Sequence, residues 1–171
     1  MTIIRNYRRS DAAGVGILIA DTYEDFNLSY ASPQERDLLL GPFRHARSPE
    51  RECRDAIAEV IRADMVFVAE EEGEIVGVLR GSSGRLRSLF VRGDHHRQGL
   101  GRRLVEQFEQ ACLYQGATTI RVASTLYAVP FYTSVGYKKT TGVRTMRSFE
   151  GSGLPYQPMK KILPAAEQES G

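Results

Sequence analysis

The chain has 171 residues, is 42% hydrophobic and 26% charged, and carries a formal net charge of +2. That length suits one domain with a full core, and the near-neutral balance gives no bulk-electrostatic reason to expect a nucleic-acid partner. No apolar run approaches the roughly 18 residues that span a bilayer, residues 1–5 lack the shape of a secretory signal, and Cys53 and Cys112 make no disulfide framework, so the expectation is a cytoplasmic protein without a membrane partner.

Residues 2–7 read as a first strand, and Ser10 or Asp11 offers a helix cap. Val15, Ile17, Leu18, Ile19, Tyr23 and Phe26 give residues 11–26 a mostly helical spacing. A short helix is expected over 33–40, stopping at Gly41-Pro42. Ser48-Pro49-Glu50-Arg51 reads as a Ser-capped helix start with proline in the first turn. That helix should run to Ala63 with Cys53, Ile57, Val60 and Ile61 facing inward. Residues 65–69 and 75–79 are β-rich around a polar Glu70-Glu71-Glu72-Gly73 turn, and 80–84 reads as a Gly/Ser loop. A strand over 86–91 and a glycine turn then lead to a helix over 100–115, with Leu100, Leu104, Phe108 and Cys112 four apart and Gly116 closing it. A strand over 119–124 follows, then a short helix with Pro130 in its first turn, ending at Gly136. Residues 137–149 and 157–163 read as a final strand pair around a Gly151-Ser152-Gly153 loop, and 165–171 as a frayed, disordered tail. The order implies one domain over 1–164, an α+β or α/β sandwich in which the helix over 100–115 joins two parallel strands by a right-handed crossover.

The most informative stretch is His96-Arg97-Gln98-Gly99-Leu100-Gly101. Two glycines two apart let the backbone turn tightly and approach a ligand. The free N–H groups at the start of the following helix favour an anion. Arg102 and Arg103 oppose the dipole of an isolated helix, but suit a bound polyanion. Seven arginines (80, 85, 87, 92, 97, 102 and 103) stand against the single acid Asp94 between residues 80 and 105, and arginine matches phosphate and carboxylate geometry. A pyrophosphate cradle accounts for all of this. It is not a P-loop, because Gly101 is followed by Arg102-Arg103 rather than Lys-Ser/Thr. It is not the dinucleotide fingerprint, because Leu104 stands at the third glycine and residues 119–124 offer no acid.

Two separated segments resemble the GNAT-type N-acetyltransferases. Leu89-Phe90-Val91 followed by the loop ending Gln98-Gly99-Leu100-Gly101 is similar to that family's acetyl-coenzyme-A signature. Ala128-Val129-Pro130-Phe131-Tyr132-Thr133-Ser134-Val135-Gly136-Tyr137 is similar to its second signature, and Gln157 to Leu163 to its last strand. The resemblance covers residues 65–163. His96 stands where the family carries Arg or Gln, and Thr125 where many members carry Asn. The resemblance implies a mixed, mostly antiparallel twisted sheet with helices on both faces and a splayed parallel strand pair. It implies acetyl-CoA as acyl donor, with the pyrophosphate on the backbone of Arg97, Gln98, Gly99, Leu100, Gly101 and Arg102. It further implies a pantetheine arm paired with Phe90, Val91 and Arg92, contacts from Thr125, Ala128 and Phe131, and a ribose phosphate reached by Arg92, Arg102 or Arg103. Relatives often form homodimers.

The resemblance places Tyr132 near the sulfur, where a phenol protonated at neutral pH can serve the departing thiolate. Residues 85–88 hold no carboxylate to act as base, which leaves a water relay or a group from the N-terminal helices, with Tyr23, Glu24, Asp25 and Tyr30 as candidates; Glu70 to Glu72 read as a solvated hairpin tip. Arg80, Arg85 and Arg87 should lie toward the acceptor, disfavouring polyamines and favouring acceptors with a carboxylate. His95 and His96 are adjacent, His45 is isolated, and no metal site is expected. There is no Gly-x-Ser-x-Gly elbow and no Cys–His pairing. The expected activity is N-acetylation of a primary amine on a small molecule, amino acid or peptide. A non-catalytic acyl-CoA sensor or interaction module is the alternative, and a nucleotide-binding protein using the same loop a third reading.

Overall fold

The computed structural model describes residues 1–164; the tail expected at 165–171 lies outside them. Eight strands form one sheet in the order β1 (Ile3–Asn6), β2 (Met65–Glu71), β3 (Glu74–Ser82), β4 (Arg85–Val91), β5 (Thr119–Thr125), β8 (Gly151–Ile162), β6 (Lys138–Lys139), with β7 (Arg144–Ser148) also on β8. Among the described residues every pairing is antiparallel except β4–β5. The helix α4 (Leu100–Tyr114) makes the crossover between these two parallel strands.

Helices cover both faces. The four-residue spacing of Leu100, Leu104, Phe108 and Cys112 puts them on one stripe of α4, where they bury against Val76, Leu79, Leu86 and Ile120 of the sheet. The short helix α5 (Val129–Ser134) joins this core through Tyr132. On the other face α1 (Ala12–Thr22), α2 (Pro33–Leu40) and α3 (Arg51–Ile61) bury Val15, Ile19, Leu39 and Ile57 against Val68 and Val78. Among the described residues, no helix is long and apolar enough to cross a membrane.

Several boundaries differ from the sequence reading. The helix after Ser48 begins later: Glu50 is the cap residue without a side-chain bond, while the Ser48 hydroxyl accepts from Glu50 N–H at 3.2 Å. It ends at Ile61 rather than Ala63, and Cys53 is only half-buried. Residues 80–82 are strand, not loop, because Arg80, Gly81 and Ser82 pair with β4. Gly151 to Gly153 also belong to a strand, and the turn falls at Phe149-Glu150 instead. After Thr22 the first helix continues as a π-turn over Tyr23–Asn27, closed by Leu28 N–H on Tyr23 C=O at 3.0 Å. Such wide turns redirect side chains.

Two irregularities open the sheet. Beyond Arg85↔Arg121 and Leu86↔Val122, β4 and β5 have no further pairs, although β4 stays on β3 to Val91 and β5 on β8 to Thr125. The parallel strands therefore part into a wedge. At its closed end Arg80 pairs with Ser88 and Gly81 with Leu86, which leaves Arg87 as the extra residue of a β-bulge.

Candidate functional site

The wedge lies within a cleft of about 840 Å³ lined by both parallel strands, the loop before α4, α5, the π-turn and the β7–β8 hairpin. At its mouth, Arg97 has φ 62° and Gly99 φ 81°. Gly99 takes the left-handed conformation as the cap residue of α4. The first helical N–H with a ladder partner is that of Arg103, on Gly99 C=O at 3.0 Å. Those of Gly99, Leu100, Gly101 and Arg102 precede it and stay outside the ladder. Gly101 serves a different purpose, since a Cβ there would meet the Phe131 ring at 3.1 Å. It lets α5 lie close against the cradle.

Strand alternation fixes which backbone groups face the wedge. Arg92 N–H donates to Val76 C=O at 2.9 Å. Bonded and non-bonded pairs alternate in an antiparallel ladder, so Phe90 also faces β3, while Leu89 and Val91 turn their N–H and C=O toward the gap. Val91 C=O takes a bond from His96 Nε2 at 2.6 Å. Of the three backbone positions expected to meet a pantetheine arm, only Val91 is oriented for it; Phe90 and Arg92 are engaged with β3.

Most other expected residues line the cleft: Phe90, Val91, Arg97, Gly99, Leu100, Gly101, Arg102, Thr125, Ala128, Phe131 and Tyr132. Arg92, Gln98 and Arg103 do not. The Arg92 guanidinium is paired with Asp94 and Glu74 at 2.8 Å each. Gln98 Nε2 donates to Asp94 C=O at 3.0 Å. Arg103 donates to Thr2 C=O and lines a separate shallow groove beside Ile4. Of the base candidates, Tyr23 lines the cleft, whereas Glu24, Asp25 and Tyr30 are exposed and off its wall. Arg80 and Arg87 line it and Arg85 does not. Among the described residues no Asp or Glu is on the wall, and no cluster of three or more His, Cys, Asp or Glu side chains is grouped to hold a metal ion.

Tyr132 is 4% exposed on α5, edge-on to Phe131 and Tyr137 with ring centroids 5.2 and 5.5 Å away. Burial alone pushes its phenol well above the usual range, so the hydroxyl keeps its proton at any ordinary pH. Tyr23 is edge-on to Phe90 at 5.8 Å. Its phenol is pushed up to about 12 by burial, partly offset by a bond with the Ser148 hydroxyl.

Sequence reasoning missed four residues at the cleft mouth. Phe26 packs on His96 and on Tyr127, with centroids 4.7 and 5.4 Å apart. The Thr125 hydroxyl donates to Asn27 Oδ1 at 3.0 Å. The Phe26–Tyr127 and Asn27–Thr125 contacts bridge the π-turn to the β5 side of the wedge. The fourth is His95, held between the Asp94 and Glu71 carboxylates, which raise its pKa. Only the adjacent histidines carried a sequence signal, and metal spacing was the wrong test for them.

A family model described as an acetyltransferase (GNAT) domain matches residues 33–163. No curated protein matches the chain. A GCN5-related N-acetyltransferase from Rhodopseudomonas palustris has a similar solved structure, with TM-score 0.76, 20% identity, and 95% of this chain and 96% of that one covered. The PaiA N-acetyltransferase of Thermoplasma acidophilum, solved with coenzyme A, gives TM-score 0.69 at 14% identity, covering 95% and 99%. The ribosomal-protein-S18-alanine N-acetyltransferase of Escherichia coli gives 0.61 at 16%, covering 100% and 99%. At such identities the structural likeness is one of fold.

Proposed function

Because the chain belongs to the GNAT acetyltransferases, we propose that it moves an acetyl group from acetyl-CoA to a primary amine of a small molecule, amino acid or peptide, by direct attack in a ternary complex, with residues 1–164 acting as one domain. The observation that carries this reading is the wedge. The backbone groups of Leu89 and the N–H of Val91 face a gap between parallel strands, and that gap opens beside four helix-start N–H groups on the same cleft. An extended pantetheine arm fits the first feature as an added strand, and a diphosphate fits the second.

In the proposed reaction the amine, after losing its ammonium proton to solvent, forms an N–C bond to the thioester carbonyl. The C–S bond breaks and its electron pair leaves on sulfur. A backbone N–H of β4 near Val91 that faces the gap stabilises the developing oxyanion. Tyr132 gives its proton to the thiolate and regains one from the nitrogen by way of solvent. The products are the acetamide and free CoA thiol. Arg97 and Arg102 complement the donor's phosphates. Arg92, paired with two carboxylates, and Arg103, off the cleft wall, are left out of that role.

The absence of any carboxylate from the described cleft wall favours a second reading, a non-catalytic acyl-CoA sensor. The two are separated by following thiol release from acetyl-CoA with a broad amine panel beside a calorimetric titration of CoA. Binding with release supports the transferase. Binding without release for any amine supports the sensor. No binding at all removes both.

A further inference from the structure

One stretch of the cleft wall has a composition of its own. Away from the cradle it is apolar: Phe43, Met146, Phe149 and Leu154 come from the turn after α2 and from the β7–β8 hairpin. Phe43 and Leu154 are buried, and Phe149 stands edge-on to Phe43 at 6.0 Å while remaining 41% exposed. Phe149 also has φ 56°, an uncommon conformation for a bulky side chain. The hairpin is anchored by Ser148, whose hydroxyl donates to Leu39 C=O at 3.0 Å.

Two arginines line the same cleft, and they differ. The Arg80 guanidinium is engaged by the last carbonyls of α3, bonding Val60 C=O at 2.6 Å and Ile61 C=O at 2.9 Å. It acts as a helix C-terminal cap. Arg87 is exposed, sits at the bulge of β4, and among the described residues makes no ion pair. It lies one residue past the final β4–β5 pair and four from Val91, about 13 Å along the strand. An arginine side chain reaching from one side and a small zwitterion from the other bridge that separation.

We propose that the acceptor is a free amino acid with an apolar side chain, its carboxylate held by Arg87 and its side chain against Phe43, Met146, Phe149 and Leu154. This rests on the transferase reading above. A cation with no ion pair among the described residues, in the same cleft as an apolar wall and with no carboxylate on the described part of that wall, attracts a carboxylate attached to a hydrophobic body and repels polyamines. The amine, a few bonds from the carboxylate, is left directed along β4 toward Val91.

The test compares kcat/KM, referred to neutral amine, for phenylalanine, leucine, aspartate, phenethylamine and spermidine on the full chain, with thiol release as readout. The expected result is phenylalanine or leucine favoured about tenfold or more over phenethylamine, the value of one charge-assisted contact, and also over aspartate and spermidine. Arg87→Gln should bring the phenylalanine-to-phenethylamine ratio toward one, and Arg87→Lys should restore part of it. Phenethylamine or spermidine matching the amino acids, or a ratio indifferent to Arg87, overturns the inference while leaving the transferase reading intact. CoA binding with no turnover of any amine overturns both.

Discussion

His96 Nε2 lies 2.6 Å from the carbonyl oxygen of Val91, so the loop that begins the cradle is tied to the strand residue that faces the wedge. The imidazole must donate here, because a carbonyl only accepts. Phe26 packs on the same ring, so one side chain joins the loop, the strand and the π-turn. His96→Ala should weaken CoA binding about three- to tenfold, the worth of one neutral hydrogen bond. His96→Gln, which keeps an N–H donor, should recover part of it. Equal calorimetric affinities for wild type and His96→Ala would dismiss the tether.

Tyr132→Phe tests the proposed proton donor. Burial holds the phenol protonated, the form that this role needs. Its removal should lower kcat by a factor of about 10² or more, with CoA affinity nearly unchanged. No alkaline loss of activity should arise from this group below pH 10. Turnover equal to wild type would exclude the role.

Gly99 has no heavy atom within 4 Å of a built Cβ but has φ 81°. Gly99→Ala therefore costs backbone strain alone, about 1–2 kcal/mol, with a melting point lower by several degrees and weaker CoA binding. Gly99→Asn, which tolerates this conformation better, should lose less. A more damaging asparagine would contradict the backbone account.

His95 gives a pH signature. The Asp94 and Glu71 carboxylates raise its pKa above the ordinary 6.5; Arg92 and Glu74 extend the same network. A raised folded pKa stabilises fully below the unfolded value, and the effect fades as pH rises through the folded one. Asp94, held down to about 2 by Arg92 and then His95, and Glu71, lowered chiefly by His95, contribute only above the ordinary carboxylate range. The melting-point gap between wild type and His95→Gln should thus peak at about pH 5–6.5 and shrink on either side. A constant gap from pH 5 to 9 would show that the charge is immaterial.

Much of this was legible because strong local patterns decide it. Four-residue spacing marked the buried stripe of α4, and Gly99 with Gly101 marked the tight turn and close packing at its start. What escaped depended on partners distant in sequence. Residues 80–84 contain two glycines and two serines and looked like a loop, yet three of them are held by β4. Gly151 looked like a turn residue, yet a Cβ there would strike Leu39 at 2.6 Å, so it is small because a helix lies against it. Arg103 looked available because nothing local announces the Thr2 carbonyl, and of the two carboxylates on Arg92 only Asp94 is near in sequence, Glu74 being on another strand. Asn27 meets Thr125 from 98 residues away, beyond any periodicity.

The parting of β4 from β5 has a last consequence, for survival rather than chemistry. A protein whose central ladder is left incomplete has a built-in vacancy for a guest strand, and whatever fills it adds rungs that the empty chain lacks. Native protein should then gain resistance to heat and to protease as the acyl carrier becomes plentiful, so that its abundance in a cell follows the supply of its own donor.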